Sequence, residues 1–123
     1  FPKLKLVLTG GGYEKKKKGT LIFINSVAGK KAYPFSSAYV ASKFALRGFA
    51  DSIREELREF GIKVMSVFPG AIDTPFWDNV NAEYPRDEMM TSEEVAISIV
   101  QTLTNNGVGV VEEMVIRRYK GDF

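Results

Sequence analysis

Two apolar runs on either side of one long amphipathic stretch constrain the fold more than any other feature of the sequence. Residues 20–25 and 62–68 are rich in β-branched and other apolar side chains, as is typical of parallel strands that are buried on both faces. Residues 38–60 repeat apolar side chains at helical spacing, and Gly61 is suited to end a helix. A strand, a helix and a second strand in this order predict a parallel βαβ unit. The apolar positions of the predicted helix are Ala38, Ala41, Ala45, Phe49, Ile53 and Leu57.

Further elements extend this unit in both directions. Residues 4–8 are predicted to form a short strand, which a glycine-rich turn follows at residues 9–12. The loop at residues 26–37 is rich in Gly, Pro and Ser, and Ser36 or Ser37 can cap the helix that follows. Thr91 and Glu94 have the spacing of a capping box that opens a helix ending near Leu103. Residues 108–116 complete the pattern as a last strand, so the sequence predicts an α/β fold with a parallel sheet.

The absence of His and Cys limits the chemistry that the chain can perform. Zinc and copper sites that depend on these ligands are excluded, and we predict no metal site. Ser-His-Asp and Cys-His catalysis are excluded because both need an imidazole base. Acid–base chemistry near neutral pH must then come from a Tyr, Lys, Asp or Glu. The lack of cysteine also suits a reducing compartment, and we expect a cytoplasmic protein.

Charge and hydropathy argue against nucleic-acid and membrane partners. The net charge is +2, but the four lysines at residues 15–18 alone contribute +4, so the rest of the chain sums to −2. A single local run of lysines is typical of a solvated turn, so we do not predict nucleic-acid binding. The sequence has no run of about eighteen apolar residues, and we predict no membrane span.

Tyr39 and Lys43 are the strongest candidates for acid–base chemistry. They are four residues apart in the predicted helix, so they share one helix face. A nearby ammonium lowers the pKa of a phenol, which would bring Tyr39 closer to useful acid–base behaviour. Ser26 follows the strand at residues 20–25 and is placed to hydrogen-bond a substrate oxygen, because ligands bind at the carboxyl ends of parallel strands. Two simpler interpretations remain open from the residues alone. The Tyr39 ring could be packed beside a solvated Lys43 amine, and Ser26 could only cap a turn.

These residues belong to a larger pattern. The segment Asn-Ser-Val-Ala-Gly at residues 25–29, Pro34 and the Tyr39-x-x-x-Lys43 pair resemble the active-site stretch of the short-chain dehydrogenase/reductase family. The segment Pro-Gly-Ala-Ile-Asp-Thr at residues 69–74 resembles the segment that follows the next strand in that family, and the resemblance extends over residues 19–123. It implies a Rossmann-like, doubly wound parallel sheet that is incomplete in these residues. It also implies an NAD(P)-dependent oxidoreductase.

The same resemblance implies a role for each matching residue. Tyr39 would be the general acid in carbonyl reduction and the base in alcohol oxidation, while Lys43 would lower its pKa and hydrogen-bond the nicotinamide ribose. Ser26 would orient and polarise the substrate carbonyl. The nicotinamide pocket would be lined by Pro69, Gly70, Ile72 and Thr74. The loop at residues 76–90 would close over the substrate, with contacts from Phe76, Trp77 and Tyr84, although ordinary packing of these rings within the loop remains an alternative.

The glycine-rich turn departs from the family pattern. Thr9, Gly10 and Gly12 resemble the start of the dinucleotide-binding segment, in which glycines let the backbone approach a pyrophosphate. After Gly12 the pattern stops, and the chain resumes near the active-site strand without the family's second strand or its catalytic Asn. We therefore predict a single domain over residues 1–123, with the dinucleotide segment at 1–12, the catalytic half at 13–123 and a missing segment between them. A chain that is truly truncated, and a glycine turn unrelated to a cofactor, are the alternatives.

The leading functional hypothesis is hydride transfer between a nicotinamide cofactor and a small-molecule alcohol or ketone. Either NADP(H) or NAD(H) would serve, and we favour NADP(H). The resemblance also implies a homodimer or homotetramer, in which the small residues Ala38, Ala41 and Ala45 suit close packing of two helices. The main alternative is a non-catalytic fragment or relative that acts as a binding or oligomerisation module. A Ser-Lys hydrolase is a third reading, for which nothing marks Ser26 as a nucleophile.

Overall fold

The computed structural model describes residues 19–80, 83–104 and 107–123 of the chain. These residues form a three-stranded sheet with strands β1 (Gly19–Ile24), β2 (Ile62–Pro69) and β3 (Glu113–Ile116). Helix α1 (Ser37–Leu57) connects β1 to β2, and helix α2 (Ser92–Thr102) lies between β2 and β3. The strand predicted at residues 4–8 and the glycine turn at residues 9–12 fall outside the described residues.

The three strands are parallel and follow the chain in the order β1-β2-β3. Gly19 pairs with Ile62 at the start of β1, and Ser66 pairs with Glu113 at the start of β3. Because the strands are parallel, their carboxyl ends lie at the same edge of the sheet. The predicted α/β fold with a parallel sheet is therefore confirmed. No helix in the described part of the chain has the length and apolar character needed to cross a membrane.

Helix α1 packs on the sheet with its C-terminal half. Ile53 and Leu57 are buried against Ile62 and Val64 of β2, as the helical spacing predicts. The ring of Phe49 meets that of Phe23 edge to face, with ring centroids 5.9 Å apart. Three small residues of the predicted apolar face, Ala38, Ala41 and Ala45, are exposed instead. Spacing alone could not tell which half of the helix is buried, because both halves repeat apolar residues with the helical period. Only the second half reaches the core.

The ends of α1 also differ in part from the prediction. Gly61 ends the helix as expected, in the left-handed conformation with φ of 70°, which glycine adopts without steric cost. The last turn, Arg58–Phe60, tightens into a 3₁₀ helix. Ser36 occupies the N-cap position, but its side chain makes no capping hydrogen bond. Its ψ of 29° lies outside the extended region that a capping serine needs.

Two predictions about the strands are corrected. The first strand was expected to be buried on both faces, but β1 is only half-buried and Ile24 is 54% exposed. Among the described strands, β1 lies at the edge of the sheet, whereas central β2 is almost completely buried. The last strand begins at Glu113 and not at residue 108. Before that strand, the ammonium of Lys63 binds the carbonyl oxygens of Gly107 and Gly109 at 2.9 and 2.7 Å.

The predicted capping box at the start of α2 is confirmed. The Thr91 hydroxyl accepts a hydrogen bond from the Glu94 amide at 3.2 Å, and a Glu94 carboxylate oxygen accepts one from the Thr91 amide at 2.9 Å. The helix ends at Thr102, one residue before the predicted end. Two short 3₁₀ turns, Pro75–Asn79 and Arg86–Glu88, give structure to the long segment that was predicted as a loop.

Candidate active site

The carboxyl ends of all three strands open onto one cavity of about 610 Å³. Its walls come from the residues after β1, the turn that enters α1, the segment after β2 and the residues after β3. In an open parallel sheet this edge is the usual place for a ligand. The position of the cavity therefore follows from the topology of the sheet.

Nine of the predicted site residues line this cavity: Ser26, Tyr39, Pro69, Gly70, Ile72, Thr74, Phe76, Trp77 and Tyr84. They come from four separate segments of the chain, and the fold brings them together. Lys43 does not line the cavity and lies one turn further along α1. Thr9, Gly10 and Gly12 are outside the described residues, so their predicted contact with a cofactor remains a prediction.

Tyr39 and Lys43 lie on one side of α1, as their spacing predicts. The Nζ atom of Lys43 is 5.5 Å from the centre of the Tyr39 ring. Tyr39 lines the cavity and is 39% exposed. This arrangement places a phenol at the cavity wall with a cation held against its ring.

Ser26 begins the 3₁₀ turn Val27–Gly29 that follows β1. Its hydroxyl oxygen accepts a hydrogen bond from the Ala28 amide at 3.1 Å, so the side chain caps this turn. A hydroxyl that accepts one bond still has its own proton to donate. Ser26 can therefore cap the turn and donate a hydrogen bond into the cavity, and these two readings of Ser26 are compatible.

The segment after β2 is fixed from two sides. The Gly70 amide donates to the carbonyl of Ile116 at 2.8 Å, which joins the segment to the end of β3. A Cβ atom on Gly70 would lie 2.9 Å from the Cβ of Arg117, so glycine is needed here for the close packing of the two strand ends. On the other side, Ile72 forms a parallel bridge with Met90. The backbone that faces the cavity is thus held in place before any ligand binds.

Aromatic rings form a continuous wall on one side of the cavity. The ring centroids of Tyr39 and Phe76 are 6.0 Å apart, those of Phe76 and Trp77 5.4 Å, and those of Trp77 and Tyr84 5.0 Å. The indole nitrogen of Trp77 donates to the carbonyl of Ile72 at 2.8 Å. These rings pack on one another and also face the cavity, so loop packing and substrate contact are not exclusive alternatives.

Arg86 adds side-chain contacts within the loop that carries these rings. The guanidinium of Arg86 binds the carboxylates of Asp73 and Asp78 at 2.7 and 2.6 Å and the carbonyl of Thr74 at 3.1 Å. The hydrogen bonds that Arg86 donates to Asp78 and Asp73 raise the pKa of its guanidinium. Because all four groups are exposed or half-buried, solvent weakens each contact. The loop is therefore cross-linked to the segment after β2 by contacts that can separate.

The residues after β3 also line the cavity, although they are not among the predicted site residues. The guanidinium of Arg118 stacks on the Phe123 ring at 3.8 Å, and the Tyr33 hydroxyl donates to Asp122 at 2.7 Å. Burial, followed by the bond to Asp122, raises the pKa of Tyr33 to about 12. One signal could have found these residues, since they follow the carboxyl end of a predicted parallel strand.

Comparison with known proteins gives the family to which the chain belongs. A family model described as short chain dehydrogenase matches residues 5–85. A sepiapterin reductase from Chlorobaculum tepidum is 38% identical over 109 residues, which are 89% of this chain and 44% of that protein. An NADP-dependent 3-hydroxy acid dehydrogenase from Schizosaccharomyces pombe is 30% identical over 118 residues, 89% of this chain and 46% of that protein. The chain therefore belongs to the short-chain dehydrogenase family.

Solved structures lead to the same fold. A short-chain dehydrogenase/reductase from Vibrio parahaemolyticus superposes with a TM-score of 0.71 at 29% sequence identity, covering 87% of this chain and 47% of the other. The Rossmann-like parallel sheet is confirmed, and three strands of it are present in the described residues. The family is one of NAD(P)-dependent oxidoreductases, and the relatives are named as reductases and dehydrogenases. The chain spans less than half the length of the relatives that it matches.

Proposed function

We propose that this protein transfers a hydride between NADP(H) or NAD(H) and a small-molecule alcohol or ketone, with Tyr39 as the proton donor and acceptor. One observation carries the proposal above all: the hydroxyl-bearing residues Ser26 and Tyr39 line one cavity, and Lys43 lies against the Tyr39 ring. The alternative of a non-catalytic binding module is not favoured, because Ser26, Tyr39 and Lys43 are all present in this arrangement.

The cavity suits a nicotinamide ring by its chemistry. One wall is the fixed, small-residue backbone from Pro69 to Ile72, and a planar ring can approach such a wall closely. We assign Pro69, Gly70, Ile72 and Thr74 to this pocket, with Ile72 and Thr74 next to the carboxamide. When bound, the nicotinamide supplies the hydride, which is chemistry that no protein side chain offers. The S. pombe relative is named as NADP-dependent, which supports our preference for NADP(H).

The residues of this chain supply the proton and the orientation. In carbonyl reduction, Tyr39 Oη gives its proton to the substrate oxygen while Ser26 Oγ donates a hydrogen bond to the same oxygen. The Lys43 ammonium stabilises the negative charge that develops on Tyr39 and binds the ribose hydroxyls. Alcohol oxidation uses the same groups in reverse, with Tyr39 accepting the proton.

The aromatic wall indicates what kind of substrate body fits beside the reacting carbon. Phe76, Trp77 and Tyr84 present mostly apolar ring surface, which favours an apolar substrate group over a highly charged one. We propose that the loop carrying these rings covers the substrate and that Phe76 and Trp77 contact it.

The remaining features of the whole protein are also proposals. We propose one Rossmann-like domain, in which residues 1–12 begin the dinucleotide site and residues 13–123 form the catalytic half. We propose a homodimer or homotetramer, which the exposure of Ala38, Ala41 and Ala45 on α1 supports. A cytoplasmic location is supported only by the absence of cysteine in these 123 residues.

The test is a substitution at Tyr39 in the full-length protein. NADPH oxidation is followed with 2,3-butanedione and ethyl acetoacetate as probes, and NADPH binding is measured by fluorescence. Tyr39→Phe should lower turnover about 10²- to 10⁴-fold, the usual contribution of a general acid, with little change in the NADPH dissociation constant. Tyr119→Phe is the matched control because Tyr119 is 95% exposed and does not line the cavity.

Lys43 provides a second, distinguishable variant. Lys43→Met should weaken NADPH binding and lower turnover together, because the ammonium serves both the ribose and Tyr39. Unchanged turnover in Tyr39→Phe, or a protein that does not bind NADPH or NADH, would remove the basis of the proposal.

A further inference from the structure

Asn25 is a buried polar residue between the two catalytic segments. It directly follows β1 and is only 5% exposed. A buried amide must find hydrogen-bond partners to offset the loss of water. Its backbone amide donates to the carbonyl of Val67 at 2.7 Å, which continues the pairing of β1 with β2. Its side-chain amide needs partners of its own.

The side chain of Asn25 joins the loop of Ser26 to helix α1. Its Oδ1 atom accepts a hydrogen bond from the Ser26 backbone amide at 2.7 Å. Its Nδ2 group donates to the backbone carbonyl of Lys43 at 3.1 Å. A single planar amide thus fixes the backbone of one catalytic residue relative to the backbone of another, eighteen positions further along the chain from Asn25. Tyr39 lies one turn before Lys43 on the same rigid helix.

Gly29 makes room for this side chain. A Cβ atom at position 29 would lie 2.6 Å from Asn25 Oδ1 and 2.9 Å from its Nδ2. Real Cβ atoms do not approach so closely, so any larger residue would displace the Asn25 amide. Gly29 is itself buried at the end of the turn that Ser26 caps. The structure thus explains why the motif at positions 25–29 has Asn25 and Gly29 together.

We propose that Asn25 is a positioning residue that sets the distance between Ser26 Oγ and Tyr39 Oη, with Gly29 as the residue that permits it. The inference rests on the proposed function, because only a shared substrate oxygen makes that distance important. Displacement of about 1 Å at a reacting centre can cost on the order of a hundredfold in rate. Asn25 needs no contact with substrate or cofactor to have this effect.

The first test is Asn25→Asp in the full-length protein. The two side chains have the same shape, and the acceptor for the Ser26 amide is retained. The donor to the Lys43 carbonyl is replaced by an oxygen, so two acceptors would face each other across 3.1 Å. We expect kcat with 2,3-butanedione to fall about 10- to 100-fold, while the NADPH dissociation constant changes less than about threefold. Gln101→Glu, an exposed amide-to-carboxylate change on α2, is the matched control.

The second test is Gly29→Ala, which displaces the amide without altering Asn25 and covers the case in which Asn25→Asp does not fold. We expect a similar fall in kcat and faster hydrogen exchange at the Ser26 amide, whose acceptor is moved. Adding Asn25→Ser to Gly29→Ala removes the collision and should restore thermal stability without restoring kcat. Gly48→Ala is the matched control, because no atom lies within 4 Å of the added Cβ.

The outcomes separate this inference from the proposed function. All rates are compared per folded molecule, so a purely structural role for Asn25 predicts an unchanged kcat at reduced stability. Wild-type kcat in both Asn25→Asp and Gly29→Ala, or recovery of kcat in the double variant, would overturn the positioning role. If Tyr39→Phe abolishes turnover in the same experiment, only the role of Asn25 fails. If Tyr39→Phe retains turnover, the proposed function fails first.

Discussion

Arg54 is expected to be the most important polar residue for the stability of this fold. It lies on α1, is only 6% exposed, and reaches across the interface between the helix and the sheet. Its Nε donates to the Val64 carbonyl at 2.9 Å, its Nη2 to the Glu112 carbonyl at 3.0 Å, and its Nη1 to the Asp51 carboxylate at 2.8 Å. It thereby fixes α1, which carries Tyr39 and Lys43, to β2 and to the segment entering β3.

The substitution Arg54→Met retains most of the aliphatic stem and removes every one of these bonds. Each hydrogen bond to a charged group contributes about 1.5–3 kcal/mol, but burying the guanidinium costs part of that sum. The methionine also recovers some packing. We therefore expect the free energy of unfolding to fall by about 2–4 kcal/mol, because three such bonds are lost and only part of their sum is offset.

The measurement is urea denaturation followed by circular dichroism, with Arg58→Met as the control. Arg58 is the next arginine along the helix and pairs with Glu55 and Glu112, but its side chain is 46% exposed. Ion pairs between exposed side chains contribute little because solvent screens them, so this variant should be nearly as stable as the wild type. A loss below 1 kcal/mol in Arg54→Met, or equal losses in the two variants, would refute the reasoning.

Three further predictions concern single residues. Ser66 Oγ is buried and has no hydrogen-bond partner within the described residues, so Ser66→Ala should leave the melting temperature unchanged or raise it. Gly61→Ala should cost about 1 kcal/mol in urea unfolding, because its φ of 70° strains an alanine. The raised pKa of Tyr33 stabilises the fold below pH ~10 and loses that effect as the pH rises toward about 12. Below pH ~10 the wild type should exceed Tyr33→Phe in free energy of unfolding by about 1 kcal/mol or less, because the contact is partly exposed. Thermal melting should show this difference shrinking as the pH rises toward about 12. A difference that stays constant with pH would contradict the prediction.

The sequence by itself determined the features that depend on neighbouring residues. The βαβ order, the stop at Gly61 and the capping box at Thr91 follow from periodicity and from the local chemistry of helix ends, which act within one or two turns. The spacing of Tyr39 and Lys43 on one helix face is likewise fixed by helix geometry. The position of Ser26 at the cavity could be predicted because parallel strands end at the same edge of a sheet.

Only the tertiary structure decided which of two equal patterns was buried. Ala41 and Ile53 both satisfy the helical period, yet the first is exposed and the second lies in the core, because β2 covers only one half of α1. The C-terminal segment likewise reaches the cavity through contacts such as that of Tyr33 with Asp122, which are 89 residues apart in the chain. No spacing rule connects residues so distant, since their meeting depends on how the whole sheet is assembled.

The same limit explains why Asn25 was recognised in the sequence only as part of a motif. Its residue type predicts a turn or a cap, and its position predicts a place near the end of a strand. Its bond to the Lys43 carbonyl depends on where α1 crosses the sheet. The sequence therefore determined which residues could carry the chemistry, whereas the packing of α1 against β1 and β2 decided how they are held together.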